Sequence, residues 1–64
     1  MLRINGTDIC AQGLTIEAYL AQNGYRTDRV AVELNGAIVS RQAYAATTLG
    51  DGDSVEIVQF VGGG

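Results

Sequence analysis

Histidine and lysine are both missing from this 64-residue chain, and cysteine occurs once, at Cys10. Histidine is the usual general base at neutral pH, so its absence removes the commonest means of acid–base catalysis. With a single thiol no His/Cys zinc set can be assembled either. Catalysis by the chain alone is therefore not expected, nor is a metal site. Without lysine the chain offers no side-chain amine to receive an isopeptide bond; it could donate its end but hardly accept another's. Cys10 cannot form an internal disulfide, and no histidine or lysine is present to activate it as a thiolate, so it reads as a plain strand residue. Basic residues number four, all arginine, against a formal net charge of −3. That leaves no positive stripe for a phosphate backbone, and nucleic acid is not an expected partner. No apolar run approaches the ~18 residues of a membrane span, and none follows a basic signal-type start. A soluble, cytoplasmic protein, monomeric on its own and without a membrane partner, is the expectation.

Residues that are 47% hydrophobic and 17% charged have the composition of a globular domain. At this length a chain buries only about 60% of its unfolded surface, which makes for marginal stability and little room for an enclosed pocket. The most informative stretch is the last. Val55 to Val61 are largely apolar and β-branched and follow the turn Asp51-Gly52-Asp53, which reads as a buried strand. Three glycines then close the sequence. The expected division is a folded domain over 1–61 and a flexible tail over 62–64. Such a tail reaches about 10 Å at roughly 3.3–3.6 Å per residue and can enter a channel closed to any Cβ. It carries the α-carboxylate of Gly64, ionised at neutral pH and a poor electrophile until another protein activates it. In the last strand Val55, Ile57, Gln59 and Val61 share one side and Glu56, Val58 and Phe60 the other. The Val55 and Ile57 side is the better core candidate, leaving Val58 and Phe60 exposed beside the tail as a partner-docking patch.

Earlier in the chain, Leu2 and Ile4 alternate with Arg3, and Asn5-Gly6 is a strong hairpin signal because both residues tolerate positive φ. Thr7 to Ala11 form the returning strand. Thr15 is a candidate helix N-cap with Glu17 in the first turn, Ile16, Tyr19 and Leu20 form an apolar stripe, and Asn23-Gly24 ends the helix after about two turns. Tyr25 to Arg29 read as a solvated surface connection. A second hairpin follows, Val30 to Leu34, then Asn35-Gly36, then Ala37 to Val39. A turn of helix or 3₁₀ is expected across Gln42 to Ala45, with Tyr44 pointing inward and Leu49 anchoring the chain. The acidic turn lacks the further ligands of a calcium loop and reads as a turn only. Strand, strand, helix, strand, strand, helical turn, strand is an α+β order, a small mixed sheet with one main helix on one face.

The run Leu2-Arg3-Ile4-Asn5-Gly6, the run Val32-Glu33-Leu34-Asn35-Gly36 with Val39-Ser40-Arg41, and Asp51-Gly52-Asp53 with Val55-Glu56-Ile57-Val58 and a glycine terminus resemble the ubiquitin-like β-grasp sulfur carriers, in particular the ThiS family of thiamine biosynthesis. The likeness covers nearly the whole chain. Two positions depart from it: the family often has proline where Ser40 stands and tryptophan where Tyr44 stands. The resemblance implies that an E1-like, ThiF-like adenylyltransferase adenylates the Gly64 carboxylate with ATP. A persulfide donor linked to a cysteine desulfurase then supplies sulfur for a thiocarboxylate, and a ThiG-like thiazole synthase takes that sulfur for the thiazole ring. Gly62 and Gly63 would be read by the partners as the tail, and no cofactor would be bound. Two other readings share the fold: a molybdopterin-synthase small subunit, whose relatives are usually longer, and a protein modifier that ends in ligation to lysines. An interaction module with an inert end is a third.

Overall fold

The computed structural model describes residues 1–60. The expected tail, Gly62 to Gly64, and Val61 before it lie outside the described residues. Five strands make one sheet, β1 (Arg3–Ile4), β2 (Thr7–Asp8), β3 (Val30–Leu34), β4 (Ala37–Val39) and β5 (Ser54–Gln59), in the order β2-β1-β5-β3-β4. β5 runs parallel to β1 and antiparallel to β3, and the two hairpins complete the outer pairs. The helix α1 (Ile16–Gln22) covers one face. This arrangement is the β-grasp fold.

Two Asn-Gly pairs set the hairpins. Asn5 and Asn35 have φ of 52° and 51°, and the glycines after them 81° and 87°. Positive φ at both central residues defines the type I′ turn, whose twist matches that of the strands it joins. Both asparagine side chains then reach sideways to β5. Asn5 Oδ1 accepts a hydrogen bond from the Ile57 amide at 2.7 Å, standing in for the neighbour that β1 ceases to provide once it turns. Asn35 Oδ1 accepts from the Ser54 amide at 2.9 Å, and its Nδ2 donates to Asp53 Oδ1 at 3.0 Å. The other carboxylate oxygen of Asp53 accepts from the Gly50 amide at 2.9 Å. Both oxygens of Asp53 are thus committed to folding the acidic turn, in agreement with its reading as a turn.

Helix α1 begins where the sequence places it. Thr15 is extended, and its Oγ1 accepts from the Ala18 amide at 3.1 Å, meeting one of the donors that the first helical turn leaves without a partner. The helix stops at Asn23, whose side-chain amide donates to the Tyr19 carbonyl at 2.9 Å. Its buried stripe of Ile16, Tyr19 and Leu20 packs with Leu2, Ile4, Val30, Val32, Val55 and Ile57 from the sheet and with Ala11, Tyr44 and Leu49. Full burial of each large aliphatic chain stabilises by about 1.5–3 kcal/mol relative to exposure. Tyr44 and Leu49 reach this core because their segment runs across the helix entrance, with Ile16 donating to the Thr47 carbonyl at 2.9 Å and Leu49 to that of Leu14 at 2.8 Å.

Several elements differ from the sequence expectation. The returning strand keeps only Thr7–Asp8; Ile9 still donates to the Leu2 carbonyl, but the chain then leaves the sheet so that Ala11 can enter the core. The connection before β3 contains a 3₁₀ turn, Thr27–Arg29, supported by a two-point contact of Arg26 on Asp28 at 3.0 and 3.2 Å. A second 3₁₀ turn spans Arg41–Ala43, one residue or so earlier than expected, and hands Tyr44 inward as anticipated. The last strand begins at Ser54, one residue early, because the Asn35 clamp already aligns that residue.

The clamp gives a direct test. Asn35→Ala removes two side-chain hydrogen bonds, each worth about 0.5–1.5 kcal/mol, and forces a Cβ residue into left-handed backbone without the asparagine's local compensation. Urea melts should show a loss of about 1–3 kcal/mol. Asn35→Gly, which keeps the backbone easy but loses the same bonds, should lose less.

Candidate functional site

Strand β5 is the central strand of the sheet, so every side chain on it belongs to the core or to the face that α1 leaves open. Val55 and Ile57 are buried, as expected. Val58 and Phe60 are 55% and 57% exposed and stand on the opposite face with Glu56. Registration against β3 extends through Val30↔Gln59, and one residue farther the Phe60 amide donates to the Arg29 carbonyl at 2.8 Å. The backbone is therefore held on its β3 side right up to Phe60. The predicted site residues Gly62, Gly63 and Gly64 follow after Val61 and lie outside the described residues.

Cross-strand register adds a residue that the sequence reading did not place on this face. The two-residue turn at Asn35-Gly36 sets Ala37 opposite Leu34 and Ile38 opposite Glu33. Glu33 lies opposite Glu56, and Ala31 opposite Val58. Ile38 is thus on the open face with Val58 and Phe60, and it is 71% exposed. The signal was present in the sequence, because a type I′ turn dictates this pairing once it is assigned. The open face accordingly presents Ile38, Val58 and Phe60 around the carboxylates of Glu33 and Glu56.

Cys10 takes no part in this arrangement. It is exposed and free, two residues after Asp8 on the side of the sheet where β1 and β5 begin. β5 runs away from that end, so Phe60 lies at the other. The ionisation shifts lie away from this face: burial in the core raises the Tyr19 phenol, and the others belong to two surface ion pairs. The Met1 ammonium lies 2.6 Å from Asp51, and the hydrogen bond and charge of each raise the amine and lower the carboxyl. At Asp28 desolvation is the largest single influence and raises the carboxyl, but the hydrogen bond and charge of Arg26, with smaller help from the backbone and Arg29, together hold it below its usual range. Among the described residues, no three His, Cys, Asp or Glu side chains are placed to hold a metal ion, and no helix is long and apolar enough to cross a membrane. What the arrangement of the described residues can do is present a binding surface.

Comparison with known proteins agrees with this geometry. The family model described as "ThiS family" matches residues 2–64. The sulfur carrier protein ThiS of Bacillus subtilis is 39% identical over 66 aligned positions, covering all of both chains. A thiazole synthase of Magnetococcus marinus is 42% identical over 64 positions, which are 98% of this chain and 20% of that protein. The chain thus spans about a fifth of the length of the thiazole synthases it matches. The crystal structure of the thiamine biosynthesis protein ThiS from Geobacter metallireducens superposes with a TM-score of 0.74 at 42% identity, covering 98% of this chain and 97% of that one. A β-grasp domain built around a central last strand, matched by the family model from its second residue to its last glycine, identifies the chain as a member of the ThiS family.

Proposed function

We propose that this chain is a sulfur carrier of thiamine biosynthesis, a protein co-substrate whose Gly64 carboxylate is activated and converted to a thiocarboxylate that supplies sulfur for the thiazole ring. The observation that carries the reading is the match to the Bacillus subtilis sulfur carrier along the whole of both chains. The chemistry of the end agrees with it. A carboxylate resists nucleophilic attack until it becomes a mixed anhydride, so an E1-like adenylyltransferase of the ThiF kind would first join it to AMP from ATP, releasing pyrophosphate. The outer sulfur of a protein persulfide then displaces AMP to give an acyl disulfide, and a second thiol cleaves its S–S bond, supplying the two electrons, freeing the thiocarboxylate and leaving the donor protein as a disulfide. The thiocarboxylate is itself a nucleophile and needs enclosure by a partner to escape hydrolysis. ATP belongs to the activating enzyme, and the carrier holds no cofactor.

A thiazole synthase of the ThiG kind is the proposed acceptor of the sulfur. Its support is the occurrence of a stretch like this chain within proteins that are themselves thiazole synthases. The domain over 1–61 would act as a handle and residues 62–64 as the arm that enters the partner's channel. Gly62 and Gly63 suit that role because a Cβ on either would widen the arm and restrict φ. Val58 and Phe60 lie on the last strand before the arm, so a partner gripping them sets how far the carboxylate reaches.

Two outcomes are expected. Deleting Gly64 should abolish ATP-dependent pyrophosphate release by the activating enzyme while leaving the circular dichroism spectrum unchanged; sustained release by the truncated protein would contradict the reading. Phe60→Asp should leave the thermal melt near wild type, because Phe60 is outside the core. It should weaken binding to the partners tenfold or more, since burial of a phenylalanine is worth about 1.5–3 kcal/mol and a decade of affinity about 1.4. A collapsed melt, or unchanged affinity in an isothermal titration, would remove Phe60 from the docking surface.

A further inference from the structure

Resting on the docking reading above, we infer that the thiazole synthase engages the open sheet face with a basic side chain seated between Glu33 and Glu56. The two glutamates are direct cross-strand partners in the centre of the sheet. Side chains so placed have Cβ atoms about 5 Å apart, and like charges at that spacing destabilise a sheet. No ion pair among the described residues offsets this cost. The ion pairs among the described residues join Met1 to Asp51, Arg3 to Asp8 and Arg26 to Asp28, and neither Glu33 nor Glu56 takes part in one. The chain has no lysine with which to offset the pair.

The position of the carboxylates makes the inference specific. Ile38 flanks Glu33 on the β4 side, and Val58 is the next residue on the same face after Glu56 along β5. Both are more than half exposed. A partner that covers Ile38, Val58 and Phe60 necessarily covers the glutamates among them. Taking two carboxylates out of water without a counter-charge is prohibitive, so the covering surface must supply a cation. A guanidinium fits best, because its planar fork can serve two carboxylates at once. The pair is then a specificity device: it costs the free domain a little and rejects any apolar surface that lacks the cation.

The test uses the full chain and the thiazole synthase of the same organism. The variants are Glu33→Gln with Glu56→Gln, each single change, and Glu17→Gln on the outer side of α1 as a control that matches each single variant in charge. Thermal melting should place the double variant level with wild type or about 1–3 °C above it, from relief of the repulsion. Affinity for the synthase at low salt should fall roughly tenfold or more and lose much of its salt dependence, while Glu17→Gln binds like wild type. Should the double variant fail to fold, the single variants carry the same comparison. Unchanged affinity, an equal loss in Glu17→Gln, no binding by wild type, or a loss confined to the activating enzyme would each overturn the assignment. Pyrophosphate release with the activating enzyme is measured on the same samples. A wild type that is adenylated and binds the synthase while the glutamine variants bind equally well fails only this inference; a wild type that is not adenylated fails the carrier reading itself.

Discussion

The structure depends on the lateral support of β5. This strand is last in sequence but central in the sheet, so it must be inserted between two hairpins that form from local signals. The asparagines that start those hairpins also hold the inserted strand. Asn5 supplies an acceptor to Ile57 where β1 turns away, and Asn35 supplies both a donor and an acceptor at the Asp53-Ser54 entrance. Each asparagine therefore works twice, once through its positive φ and once through its amide. With β5 held at Ser54 and at Ile57, its two-residue period fixes which side chains are core and which are open.

Much of this was legible in the sequence. Asn5-Gly6 and Asn35-Gly36 named their turns, Thr15 its helix cap, and the alternation of Val55 and Ile57 with Val58 and Phe60 sorted the faces of the last strand correctly. Those signals are local, set by residues within a few positions of one another. What escaped depends on contacts distant in sequence. Nothing near Thr7 shows that the strand must end at Asp8, because the reason is the place of Ala11 in a core completed by residues from across the chain. Likewise the opposition of Glu33 and Glu56 appears only when β3 and β5, more than twenty positions apart, are put in register. Ile38 was available from the hairpin pairing but carried no meaning until Val58 and Phe60 joined it on one surface.

The division of labour follows from size. A domain this small has little stability to spend on a strained catalytic cleft. Its core is a single cluster under one helix, and its ion pairs among the described residues lie at the surface. Chemistry supplied by partners suits such a body: the described domain offers one apolar, acidic face, and the proposed reacting carboxylate belongs to the glycines that end the sequence. The thiazole synthases that contain a similar stretch are consistent with a handle that works against that enzyme.

The central claim is that sulfur travels on the terminal carboxylate. Intact mass of the whole chain, before and after incubation with the activating enzyme, ATP and a persulfide donor, addresses it directly. Exchange of one oxygen for sulfur predicts a gain of about 16 Da that localises to Gly64 by fragmentation and persists in Cys10→Ser. No gain would contradict the account, and a gain of about 32 Da that disappears in Cys10→Ser would place the sulfur on the thiol instead.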